Sequence, residues 1–299
     1  MAIKPYLQLI RLPNVLTAAA DSLAGWLLIT GSLAAPARWL PLVLASMAIY
    51  AGGIALNDVF DFEIDLRERP SRPLPSGRIS RKFASRLGWS LLLAGPLLAA
   101  LSGSLASFAV ASILATCVLA YDAGAKKTLL GPIVMGSCRG LNLLLGMSQD
   151  PNSGGPGGWI AAGSLALFVV GITVISRSEV ETGRRAGTIL GSGLQLMALV
   201  GLFYASTRLG RGSPYGPGRH LLLEFLLLYG SFFFVWRADL RAVLDPVPAR
   251  LQAAVKTGVL TLIWLDVGVV ALTWGFFPAL AVAALWPPAF LLGRKLYST

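Results

Sequence analysis

The chain has 299 residues, 55% of them hydrophobic and only 13% charged, with a formal net charge of +11. Soluble domains carry about 25% charged residues, so this composition excludes a water-soluble globular protein and indicates a polytopic membrane protein. Nucleic acid does not explain the positive charge, because the basic residues lie in short loops between apolar stretches.

A helix needs about 20 apolar residues to cross a bilayer. The first such run, 14–35, follows Lys4 and Arg11. It is longer than the hydrophobic part of a signal peptide and lacks a clean cleavage site, so it reads as a spanning helix. Further spans are predicted at 38–56, 84–102, 105–121, 129–148, 158–176, 187–206, 219–236 and 255–275. A tenth segment, 279–293, is short and carries Pro287 and Pro288, so it reads either as a last span or as an interfacial piece. The expected fold is all-α. One membrane domain covers residues 1–299, with nine spanning helices, or ten if the last segment crosses. Cys117 and Cys138 both fall in apolar runs and offer neither a disulfide framework nor metal-ligand spacing.

Lys and Arg in short loops mark the cytoplasmic side. With the N-terminus inside, that side receives Lys4, Arg11, the seven basic residues from Arg67 to Arg86, Lys126, Lys127, Arg177, Arg184 and Arg185. The outer side receives only Arg38, Arg208, Arg211 and Arg219. Three polar loops, 57–83, 122–128 and 177–186, are thereby expected on one face, and each carries both acids and bases.

The most charged stretch follows the second span. Asp58, Asp61, Glu63, Asp65 and Glu68 crowd into eleven positions, among and ahead of Arg67, Arg69 and Arg72. Charge beside a bilayer is costly unless it has a use. Asp58, Asp61 and Asp65 fall at i, i+3 and i+7, so on one helix they share a face. Three such carboxylates repel, and a hard divalent cation among them relieves the repulsion. Mg²⁺ takes one or two protein carboxylates and fills its octahedron with phosphate oxygens and water. Lys and Arg suit the phosphate oxygens that the metal leaves free. The expectation is a Mg²⁺–phosphate site at a membrane face.

Asn57-Asp58-Val-Phe-Asp61-Phe-Glu-Ile-Asp65 resembles the NDxxDxxxD signature of the UbiA superfamily of intramembrane prenyltransferases. Arg72-Pro73-Leu-Pro75-Ser-Gly77-Arg78-Ile-Ser80 is similar to the RPLPSGxIS continuation of that family. The resemblance implies a bundle of about nine helices around a central cavity open sideways to lipid. It implies Mg²⁺-dependent transfer of a polyprenyl group from its diphosphate to an acceptor. Matched by position, Asn57, Asp58, Asp61 and Asp65 fall on the family's metal-binding residues. Arg72 and Arg78 lie where basic residues touch diphosphate, although Arg78 reads equally as an inner-face anchor. In Tyr121-Asp122-Ala-Gly-Ala-Lys126-Lys127 the resemblance points to Lys126 as a phosphate ligand. Two snorkelling lysines at the interface are the alternative, and Asp122 is a candidate partner for one of them.

A second acidic motif of the DxxxD kind, usual in the family after the sixth helix, is replaced here by Arg177-Ser-Glu179-Val-Glu181-Thr-Gly-Arg184. Glu179 and Glu181 would diverge by about 200° on a helix, and converge only in extended or loop backbone. One firmly held metal, a guanidinium in place of a second, or a changed activity are all compatible with this. The segments 175–180 and 137–148 resemble the EboC-like branch of the superfamily, which is bacterial and algal. A bacterial inner membrane with the site toward the cytoplasm is the localisation this implies. The acceptor is not supplied by the resemblance. The alternative reading is a carrier that binds an isoprenoid diphosphate, or a lipid-linked metabolite, without turnover.

Arg139 lies well inside the 129–148 run, with Asn142 on the same face. An arginine at that depth costs at least ~2.5 kcal/mol on insertion scales, so it needs a partner. It is read either as a phosphate or acceptor contact, or as one half of an internal salt bridge to Asp21, Glu224 or Asp266. Asn14, on the first helix with Asp21, is a cavity candidate, because the family often has a cavity-lining polar residue near this position.

Overall fold

A computed structural model describes residues 3–150, 154–178, 184–209 and 221–296 of the chain. Among them every regular element is helical. A short α1 (Lys4–Leu9) leads into α2 (Leu12–Thr30), α3 (Pro36–Phe60) and a one-to-two-turn α4 (Phe62–Glu68). There follow α5 (Arg81–Ala100), α6 (Leu105–Ala123), a 3₁₀ turn (Ala125–Lys127), α7 (Gly131–Met147) and α8 (Gly155–Arg177). The chain continues with α9 (Arg184–Leu209), α10 (Leu221–Leu244), α11 (Pro248–Trp274), α12 (Phe276–Ala283) and α13 (Trp286–Leu296). Eight helical segments of the described residues are long and apolar enough to cross a membrane, α12 and α13 together counting as one. Over the described residues, each of the ten runs predicted from hydropathy overlaps a helix. The last divides at Ala284–Leu285 into two short helices, both packed on α2.

Local signals set the helix ends. Ser80 and Ser104 each accept a hydrogen bond from a backbone N–H of the first turn, at Phe83 and Ser107, the usual N-cap device. Prolines open α3 and α11, where a missing N–H costs nothing. Gly31 closes α2 in the left-handed conformation.

Among the described residues the two largest apolar cores divide the bundle. The larger is built from α2, α7, α8, α9, α10 and α11, with the tail helices added; the smaller joins α3, α5 and α6. Without a hydrophobic force between helices in lipid, close backbone approach does the work. At the α2–α7 crossing, Gly25 and Gly146 face each other so closely that a methyl on either would strike the opposite backbone. Outward faces of α5 and α9 present Leu93, Leu97, Leu196, Met197 and Val200, the apolar exposure a lipid-facing helix requires. Between α2, α3, α6 and α7 a cavity of about 340 Å³ remains.

Candidate active site at the ends of α3 and α6

The acidic segment does not continue as one helix. At Asp61 the backbone takes φ −89° and ψ 7°, far from the helical ψ near −42°; α3 ends there and α4 begins. The single carboxylate face expected from the i, i+3, i+7 spacing is thereby split. Asp58, on α3, and Asp65, on α4, meet at Arg72, whose Nη1 lies 3.5 Å from Asp58 Oδ1 and 2.6 Å from Asp65 Oδ2. Asp61 turns instead to the cavity, where Lys126 Nζ donates to both its oxygens at 2.7 and 2.6 Å and to Asn57 Oδ1 at 2.8 Å.

Packing explains how each cation arrives. Leu74 and Ile79 bury themselves against Ala55 and Val59 of α3, with Ala84 and Leu9. That folds the 69–80 loop under α3 and carries Arg72 to the carboxylates. Lys126 sits on the 3₁₀ turn after α6. The turn is latched from α8: Arg177 Nη2 donates to the carbonyls of Lys126 and Thr128, both at 2.7 Å. Residue 131 has to be glycine for this, since a methyl there would collide with Arg177 Nη2.

Arg11 was legible only as an inner-face charge. It takes a left-handed conformation (φ 47°) at the entry to α2, which costs a non-glycine residue about 1 kcal/mol or more. From there its Nη2 reaches Asp58 Oδ1 at 3.2 Å, and it lines the cavity mouth. No spacing along the chain joins residue 11 to residue 58. Tyr50 and Tyr121, on the cavity wall beside Ile49, Ile54, Leu114, Val118 and Met135, escaped notice because aromatic residues in apolar runs carry no distinguishing pattern.

The deep end of the cavity is polar too. Arg139 Nη1 donates to Asp21 Oδ2 at 2.7 Å and Nη2 to Thr17 Oγ1 at 2.8 Å. Its guanidinium carbon lies 5.0 Å from the centroid of the Tyr50 ring. Asn142 donates to Asp21 Oδ2 and to the Ala18 carbonyl. The internal salt bridge to Asp21 is therefore formed; both Arg139 and Asn142 also line the cavity.

Other expectations are corrected. Arg78 lies at the exposed surface, tied to Ser76, Gln8 and the Ser71 carbonyl; the fold of the 69–80 loop turns it from the carboxylates. Asn14, in the first turn of α2, is not on the cavity wall; Arg11, just before α2, is. Asp122 does not pair with a lysine: Lys126 is held by Asp61 and Asn57. Glu179 and Glu181 lie outside the described residues, as does the side chain of Glu224.

Among the described residues no three carboxylate, imidazole or thiol groups gather tightly enough to enclose a metal ion. The donor chemistry does fit Mg²⁺ held by one or two carboxylates and completed by phosphate. Hard oxygen donors are present as two sets, Asn57 with Asp61 and Asp58 with Asp65, each neutralised here by cations.

Fold and site together define a class: a polytopic helical membrane protein whose internal cavity opens on a rim of carboxylates, lysine and arginines. Within it, the model of the UbiA prenyltransferase family matches residues 20–238, most of the chain. The chain belongs to that family. Curated relatives are called digeranylgeranylglyceryl phosphate synthase. That of Metallosphaera sedula is 34% identical over 143 residues, 48% of this chain and 50% of the relative. That of Sulfolobus acidocaldarius is 39% identical over 131 residues, 44% and 46% of the two chains. The chain thus spans about half the length of the curated relatives it matches. A UbiA homolog from Aeropyrum pernix K1 superposes with a TM-score of 0.66 at 15% identity, covering 86% of this chain and 97% of the other. One from Archaeoglobus fulgidus, bound to GPP and Mg²⁺, gives 0.60 at 14% identity, covering 89% and 99%. At such identities these likenesses establish the fold.

Proposed function

We propose that the protein is an intramembrane prenyltransferase that moves a prenyl group from a polyprenyl diphosphate to an acceptor, with the rim as diphosphate site. The observation that carries this reading is the meeting of Lys126 with Asp61 and Asn57 at the mouth of a largely apolar cavity. The homolog bound to GPP and Mg²⁺ supports the donor and the metal.

Asn57, Asp58, Asp61 and Asp65 are the residues that would hold Mg²⁺, which when bound neutralises diphosphate oxygens and stabilises the leaving group. All three N–H groups of Lys126 are spent on Asn57 and Asp61, so a diphosphate has to draw Lys126 from Asp61. Lys126 and Arg72 then add positive charge where negative charge develops as the C–O bond breaks. The apolar wall seats the prenyl chain and keeps water from the allylic cation. One domain over residues 1–299 carries the activity, with the rim at the cytoplasmic face, as the Lys/Arg asymmetry requires. Assignment to the EboC-like branch, and with it a bacterial membrane, rests on the two sequence segments alone; the relatives named above are archaeal. The test is Mg²⁺-dependent consumption of geranyl or geranylgeranyl diphosphate by protein in lipid nanodiscs. Asp58→Asn and Asp61→Asn that fold normally and still consume donor at the wild-type rate would rule the reading out.

A further inference from the structure

Prenyl transfer to a neutral nucleophile also releases a proton, and among the described residues the rim leaves one group to receive it. Two carboxylates line the cavity, Asp61 and Asp122. Asp61 has both oxygens bonded to Lys126. Asp58 and Asp65 are off the cavity wall and are held by Arg11 and Arg72. Asp122, at the end of α6, is 7% exposed. Among the described residues it accepts no hydrogen bond and makes no ion pair; Lys126, already engaged by Asp61, is its foremost charged neighbour. Across from it stands Gly53, where a methyl would strike Val118 Cγ1 and lie 3.8 Å from Asp122 Oδ2.

A carboxylate buried without a donor is costly. Among the described residues no protein group meets it, and the cavity it faces is the size of a small ligand pocket. The missing donor is expected from a ligand. An amine is a poor candidate, because it is cationic near neutral pH and the cavity already holds Arg11, Lys126 and Arg139. An arene C–H is no useful donor. A hydroxyl is neutral, donates a hydrogen bond and is nucleophilic through the same oxygen.

We propose that Asp122 is a further catalytic residue: it seats the hydroxyl of the acceptor and takes its proton during transfer. This rests on the prenyltransferase reading of the site. The acceptor oxygen forms a new C–O bond to C1 of the prenyl group. The C1–O bond to diphosphate breaks, its electron pair leaving with the diphosphate, and the hydroxyl proton passes to the Asp122 carboxylate. The acceptor is then an alcohol and the product an ether.

The test uses the full chain in nanodiscs with geranyl diphosphate and Mg²⁺, 1-decanol as acceptor probe and decyl methyl ether as a control lacking the O–H. Three readouts are taken: donor binding by calorimetry, geranyl decyl ether by mass spectrometry, and the shift of Tm on adding each probe. Expected for Asp122→Asn is donor binding within about twofold of wild type. Ether formation should fall by about 100-fold or more, the lower end of general-base contributions, and the Tm shift given by decanol but not by its methyl ether should disappear. Asp122→Glu, which keeps the carboxylate, should recover part of the ether yield. Ether formation undiminished in Asp122→Asn overturns the proposal. So does loss of donor binding, which would make Asp122 part of the diphosphate site. If wild type turns over no donor, the prenyltransferase reading fails by itself. The decanol shift then still decides Asp122: a shift equal in wild type and Asp122→Asn, or absent from both, refutes its role.

Discussion

The cavity is polar at both ends, and the ends are built on opposite plans. At the deep end, Arg139 is 6% exposed and Asp21 is fully buried; Thr17, Asn142 and Tyr50 complete the surroundings of the guanidinium. At the rim, Asp61 and Lys126 keep 21% and 14% of their side-chain surface, and Arg72 keeps 24%. The deep pair is locked by burial and by hydrogen bonds with Thr17, which accepts from Arg139, and Asn142, which donates to Asp21, so exchange with a ligand would strand a charge in low dielectric. The rim pairs meet solvent and can change partners at small cost. The contrast teaches that an ion pair serves structure or function according to what its release would expose, and not according to its distance.

The deepest pair should give the largest effect. Arg139→Met leaves Asp21 buried without its counter-charge and should cost about 3–5 kcal/mol of stability, read as loss of folded protein on heating. A variant that keeps wild-type Tm would show that the deep cluster is not structural. At the rim the pattern should invert. Asp61→Asn should lower prenyl transfer by about 10²–10³-fold, roughly 2.7–4 kcal/mol of transition-state stabilisation, with Tm unchanged; a large drop in Tm would place the rim with the deep end. The Arg177 latch offers a finer probe. Gly131→Ala displaces Arg177 and loosens the turn bearing Lys126, and donor Kd should rise about tenfold, equivalent to ~1.4 kcal/mol. Gly131→Ala and Arg177→Lys should not be additive, since both release the same turn. The smallest effect belongs to Arg78→Ala: its partners are surface groups, and activity and stability should stay within the ±0.5 kcal/mol of ordinary surface substitutions.

Much of the fold was legible because hydropathy is a one-dimensional record of burial in lipid. Each predicted run became helix, and the weak one, 279–293, broke where its spacing and prolines made it doubtful. The acidic segment was legible as a candidate site from its density of charge in an oily chain. Its geometry was not: the i, i+3, i+7 rule presumes unbroken helix, and one residue, Asp61, leaves helical geometry. Arg78 looked equivalent to Arg72 in the same loop, yet burial of Leu74 and Ile79 turned one inward and the other out.

Sequence by itself determined that this chain lives in a membrane, that it is helical, and that a dense cluster of acids and bases follows its second span. Those properties are carried by neighbours along the chain. Only the tertiary structure decided that Arg11 meets Asp58, that Arg177 holds the turn of Lys126, that Asp21 claims Arg139, and that Asp122 faces the cavity without a protein partner among the described residues. Each of these is a contact between segments 47 or more residues apart, or the lack of one. Such contacts are chosen by the packing of whole helices, which local spacing does not encode.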